Sequence, residues 1–223
     1  MTVRFHLFDA FDEIPGEDRV AIVAALEQAL PRVLSRLPVD RVDVVIGYSD
    51  PFWTVPAWGV GGYSHGKGRI SITVAPGHPR FRDVERGERL AALLAHELHH
   101  LARARGPGYG RTLGETLVSE GLAQCFEVEI GCSPPPYAVA VTEEALREFA
   151  VRARPHVDAT DYDHGAWFFG RKGDPTFPKD GGYSLAYALA GSWLALENTT
   201  ASASANVPAC EIIRAWTSDR LGV

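Results

Sequence analysis

The apolar positions of this chain change period partway along its length. Residues 18–37 set Val20, Val23, Ala24, Leu30, Val33, Leu34 and Leu37 at helical spacing, which predicts an amphipathic helix with a possible bend at Pro31. A period of two follows. Arg41–Tyr48 is a β-branched run that reads as a strand, and Trp58–Ser64 reads as a second strand weakened by glycine. Through His65, Gly66, Lys67 and Gly68 the chain passes to Arg69–Ala75, where Ile70, Ile72 and Val74 alternate with Arg69, Ser71 and Thr73. Such alternation predicts one packed and one wet face, as expected near a sheet edge.

After Pro79 the pattern turns helical and stays so. A long helix over 84–105 is stopped by Gly106, Pro107 and Gly108. The next runs from about 113 to 130, opened by Thr112 and Glu115 in capping-box spacing and closed by Gly131. A stiff Ser-Pro-Pro-Pro connector over 133–136 leads to further helices at 143–154, 161–169, 183–197 and 207–219, with 199–205 a polar loop. Strands first and helices after imply one α+β domain over 1–223: a small twisted sheet with an edge strand, then a helical C-terminal half.

Composition narrows the function. A net charge of −6 argues against nucleic acid, whose phosphates need a basic face. No run approaches the ~18 apolar residues of a membrane span. The N-terminus turns acidic by Asp9 and lacks the apolar core of a secretory signal, so the expectation is a cytoplasmic protein. Cys125, Cys132 and Cys210 are an odd number, unlike a disulfide framework. A metal pair of Cys125 and Cys132 is less expected than three cysteines packed as small apolar residues.

The chemistry is concentrated in one helix. His96, Glu97, Leu98, His99 and His100 match HExxH, and positions i and i+4 lie one turn apart on one face, so both imidazoles can reach a single ion. Glu97, rotated by about 100°, stands beside the metal's open position and can take a proton from water. The motif alone is weak evidence, because it arises by chance in on the order of one chain in a hundred of this size. Its place among Leu90, Leu93, Leu94, Leu98 and Leu101 strengthens it, since buried histidine and glutamate need partners.

Glu115, Glu120 and Glu127 compete to be the third ligand. The histidine pair is centred near residue 98, seven residues before the helix end at 105. If a helix starting at 113 returns antiparallel, the level position is 120. At a rise of ~1.5 Å per residue, Glu115 falls ~7.5 Å short and Glu127 overshoots by ~10 Å. Glu115 also has its own explanation in the cap. The reading selects Glu120.

HELHH together with Ser119–Ala123 (SEGLA) resembles the gluzincin metallopeptidases, which are zincin-like in fold. More narrowly, LAHELHH, TLGETLVSEGLA and the later Gly182–Tyr187 are similar to a bacterial family of predicted Zn-dependent proteases. The resemblance implies Zn²⁺ on His96, His100 and Glu120, a peptide or protein substrate, and a strand that binds extended peptide by strand addition beside the motif helix. Arg69–Ala75 is placed for that role, or is simply a half-buried strand. Relatives usually carry an acid four residues after the glutamate ligand, where this chain has Gln124. The expectation is either weaker zinc binding or activity, since an amide supports an imidazole less, or support from Glu127 or Asp83 instead. A transition-state stabiliser is expected downstream, from Tyr183, Tyr187 or His164, each of which is otherwise a packed aromatic or a surface histidine. His65 and His99 read as surface residues. Trp53, Trp58 and Trp167 line either a cleft or the core.

The reading is therefore a zinc peptidase in which Glu97 is the general base and Tyr183 or His164 steadies the oxyanion. Its rivals are a zinc amidase with the same ligands and a catalytically silent, zinc-stabilised interaction module. The presence of Glu97 disfavours the last, since a structural zinc has no use for it.

Overall fold

Among the described residues, four β-strands and six α-helices organise the chain into an α+β structure. The computed structural model describes every residue except 1, 219 and 221. By its internal contacts the chain divides into two compact units, Met1–Arg105 with Ile130–Cys132, and Gly106–Glu129 with Ser133–Val223.

The first unit holds β1 (Val3–Phe8), α1 (Gly16–Arg36), β2 (Val42–Tyr48), β3 (Val60–Ser64), β4 (Arg69–Val74) and α2 (Arg86–Arg105). The strand order is β1-β2-β4-β3, with β1, β2 and β4 parallel and β3 antiparallel to β4. Val44 faces Ile70 and Ile46 faces Ile72 across the β2–β4 pair, and all four are fully buried. The alternation in β4 therefore packs the face that the sequence assigns. Its position in the sheet differs from expectation: β4 is paired on both sides, and the edge strands are β1 and, next to β4, β3. Wet side chains on one face report exposure of that face, whereas an edge is a matter of unpaired backbone, which alternation cannot reveal.

The N-terminal strand β1 is absent from the sequence reading. Its six residues carry Arg4 and His6 among apolar ones, and none is fully buried, so its period is blurred. In α1, Ile22, Leu26, Ala29 and Val33 are the buried stripe, and Pro31 lies within the helix. That helix packs on α2, which also lies against β3 and β4. An ion cluster secures the arrangement. Asp18 of α1 accepts hydrogen bonds from Arg82 at 2.6 Å and Arg86 at 2.7 Å. Burial alone would raise the Asp18 pKa, but the two guanidinium groups hold it below the usual carboxylate value.

The second unit is helical: α3 (Leu113–Glu129), α4 (Glu143–Ala153), α5 (Gly181–Leu196) and α6 (Ala209–Thr217). Residue 219, the expected end of the last helix, lies outside the described residues. The expected helix at 161–169 is instead a π-helical turn over Gly165–Phe169, ended by Gly170 at φ 81°. Leu117, Leu122, Phe149, Phe168, Leu185, Leu189 and Trp216 form the centre of this unit's core. The capping box at the start of α3 is present: Thr112 Oγ1 accepts from the Glu115 N–H at 3.2 Å, and Glu115 Oε2 accepts from the Thr112 N–H at 3.0 Å.

The crossing of α3 and α5 depends on one glycine. A β-carbon at Gly121 would lie 2.0 Å from the Ala186 carbonyl oxygen and 2.9 Å from the Ala190 methyl. No side chain fits there, so glycine at the third position of SEGLA lets α5 approach the turn of α3 that carries Glu120. No described helix is long and apolar enough to cross a membrane.

Candidate active site

In the first unit, α2 presents the motif. His96 and His100 are buried, and their rings meet edge to face with centroids 4.5 Å apart, as i, i+4 neighbours on one helical face do. Glu97 is buried beside them and lies against the edge strand: a β-carbon at Gly62 would come within 2.7 Å of its Cγ and Oε1. The glycine that weakens β3 as a strand therefore makes room for the carboxylate. His99, expected at the surface, is fully buried. The reason is that α2 is covered on almost every face from Arg89 to Leu101, so its polar positions cannot be assumed to face water.

In the second unit, Glu120 is buried on α3, and a neighbour the sequence reading did not single out holds it. The Tyr109 hydroxyl donates to Glu120 Oε1 at 2.5 Å, and the Ser119 hydroxyl donates to the Tyr109 carbonyl at 2.5 Å. Burial, and then the negative charge of Glu120, push the Tyr109 pKa well above the ordinary phenol value, so the phenol keeps its proton. Glycine on both sides of this tyrosine was the available signal, but Gly106–Gly110 reads equally well as a plain helix stop.

Other polar aromatics gather near the same carboxylate. Tyr162 bonds Thr116 Oγ1 at 2.7 Å, and its pKa is raised by burial and by Glu120 despite that bond. The His164 ring stacks on Phe168 at 4.5 Å, and partial burial lowers its pKa although Glu120 and Asp163 pull the other way. Tyr183 packs between Tyr137, Phe168 and Phe169, within electrostatic reach of Tyr109. Tyr187 lies further along, beside Cys125 and Glu127. Glu115 is committed to the backbone N–H groups of Arg111 and Thr112, as its cap reading requires. Asp83 is bound to Arg80 and Arg89, while Gln124 and Glu127 are fully buried on α3. Trp53 is exposed, whereas Trp58 and Trp167 are core residues, and His65 is exposed as expected.

Among the described residues, His96, His100 and Glu120 form a buried group that can hold a metal ion, each offering one ligand atom within 4.8 Å of the others. Two imidazole nitrogens and one carboxylate oxygen are the donor set of a catalytic zinc with an open fourth position. None of the three cysteines belongs to the group. The family described as Predicted Zn-dependent protease (DUF2268) matches residues 23–214.

The chain belongs to this family. The span matched by the predicted Zn-dependent protease family contains every residue named in this site, from Gly62 to Tyr187. The family's description names zinc, whereas donor chemistry alone leaves such a group shared among several divalent ions. No curated protein and no solved structure gives a significant match to the chain.

Proposed function

We propose that this protein is a zinc peptidase in which His96, His100 and Glu120 hold the metal and Glu97 is the general base. The observation that carries the reading is the convergence of three buried donors with a buried carboxylate next in sequence to one of them. A zinc ion held there would polarise a scissile carbonyl and lower the pKa of water toward ~7. Glu97 then accepts the proton of the attacking water and passes it to the departing amine. Its seat against Gly62 fixes the carboxylate without spending it on the metal.

The edge strand supports a peptide as substrate. An extended chain added to β3 would run past Gly62, and hence past the Glu97 carboxylate, in main-chain register. Tyr183 or His164, both on the Glu120 side, would donate to the oxygen as it becomes anionic. The whole chain acts as one metallopeptidase domain in this reading. Metal analysis of purified protein, combined with cleavage of a random peptide library, tests it. About one zinc per chain and metal-dependent cleavage are expected. A folded protein that takes up no zinc would eliminate the proposal.

A further inference from the structure

We propose that Tyr109 is a positioning residue for Glu120, holding one carboxylate oxygen so that the other serves the metal. The inference rests on reading Glu120 as a metal ligand. Its ground is the way the 106–112 loop is built. The phenol meets Glu120 Oε1 at 2.5 Å, and the Ser119 hydroxyl, one residue before Glu120, ties down the carbonyl of the same tyrosine at 2.5 Å. Gly108 at φ 96° and Gly110 at φ 111° flank Tyr109 in backbone conformations that other residues rarely adopt. Gly110 sits so close to α3 that a β-carbon would lie 2.2 Å from that of Glu115. The Glu115 carboxylate in turn accepts from the N–H groups of Arg111 and Thr112.

Glu115, Ser119 and Glu120 thus fix the loop along one stretch of α3, and the side chain so fixed ends on the carboxylate. A helix stop needs none of this. One glycine past the helix end suffices for that purpose. The chemistry explains what the contact does. A carboxylate with both oxygens available can turn or chelate through the two together, which changes both the strength and the geometry of a metal site. A donor on Oε1 restricts it to one oxygen in one orientation, the function that hydrogen-bonded partners of metal ligands serve generally.

The bland alternative is that Tyr109 merely satisfies a buried charge. The two differ in what Tyr109→Phe does to bound metal. The probes are zinc, titrated into apo protein against a chromophoric chelator, and Co²⁺, whose visible absorption reports coordination number and geometry. With Tyr109 as a positioning residue, the variant loses about 10–100-fold in zinc affinity and its Co²⁺ bands differ from wild type. A folded variant with the wild-type Co²⁺ spectrum would overturn the proposal, whatever its thermal stability. Should Tyr109→Phe fail to fold, Ser119→Ala carries the test, because it frees the loop and leaves the phenol in place. A smaller shift of the Co²⁺ bands in the same direction is then expected, and an unchanged spectrum would overturn the proposal. Wild-type protein that binds neither metal would instead remove the metal-site reading, and this inference with it.

Discussion

Gly62 of the edge strand and Glu97 of the motif helix are so close that a β-carbon on the glycine would come within 2.7 Å of the glutamate's Cγ and Oε1. The contact gives the weak strand residue a purpose and yields a direct test. In Gly62→Ala the carboxylate must move aside by part of an ångström, while His96, His100 and Glu120 are untouched. Displacement of a reacting group by about 1 Å can cost ~10²-fold in rate. The variant should therefore bind zinc normally and turn over peptide about 10²-fold more slowly. Zinc content and kcat on the same preparation decide it, and full activity would mean that Glu97 has slack.

Removing the carboxylate chemistry should be more severe than moving it. Glu97→Gln keeps the shape and the burial but cannot accept a proton. General bases typically contribute 10²–10⁴-fold, so kcat should fall by about that range with zinc stoichiometry unchanged. Loss of zinc from this variant would show that Glu97 is itself a ligand.

The two glutamates of α3 that differ most in surroundings should differ in consequence. Glu120→Ala removes one of three donors and should leave zinc weakly held, as equilibrium dialysis would report. Glu115→Ala removes the acceptor for the Arg111 and Thr112 N–H groups. It should cost about 1 kcal/mol of stability, as loss of a helix cap does. Zinc affinity should change little, apart from any loosening of the loop that Glu115 helps to fix. The reverse pattern would make Glu115 the ligand and show that the register of α3 against the histidines is misread.

Much of this was readable from spacing, because spacing along a helix is a distance. The i, i+4 histidines follow from 3.6 residues per turn, and Glu120 follows from the rise per residue counted over two helices. Among the described residues, those three are a group that could hold a metal ion. What resisted reading depends on relations that no local period encodes. The order β1-β2-β4-β3 puts an edge at β3, although β4 carries the cleaner alternation. His99 looks polar and exposed in sequence, but its helix is enclosed. The bond between Tyr109 and Glu120 spans eleven residues through a loop with two positive-φ glycines, and only the folded backbone brings the phenol to the carboxylate.

The oxyanion donor is the point at which Tyr183 and His164 compete, and their packing predicts different behaviour. Tyr183 lies in the first turn of α5, directly after Gly182, where an added β-carbon would lie 2.8 Å from the Trp167 carbonyl oxygen, so the helix start is fixed against the π-helical turn. Its ring is braced by Tyr137, Phe168 and Phe169, which fixes the direction in which the hydroxyl points. His164 stacks on Phe168 and meets Tyr162 and Phe169 at longer range, and burial lowers its pKa, which favours the neutral imidazole. A phenol that donates to a developing oxyanion does little for the planar carbonyl of bound substrate, so its removal acts on kcat rather than KM. Tyr183→Phe should therefore lower kcat by roughly 10²–10³-fold, the usual cost of one lost oxyanion donor, with KM little changed. Tyr187→Phe, one turn later and beside Cys125, should be mild. If Tyr183→Phe retains its kcat and His164→Ala loses it, the donor is the imidazole, and the braced phenol is packing alone.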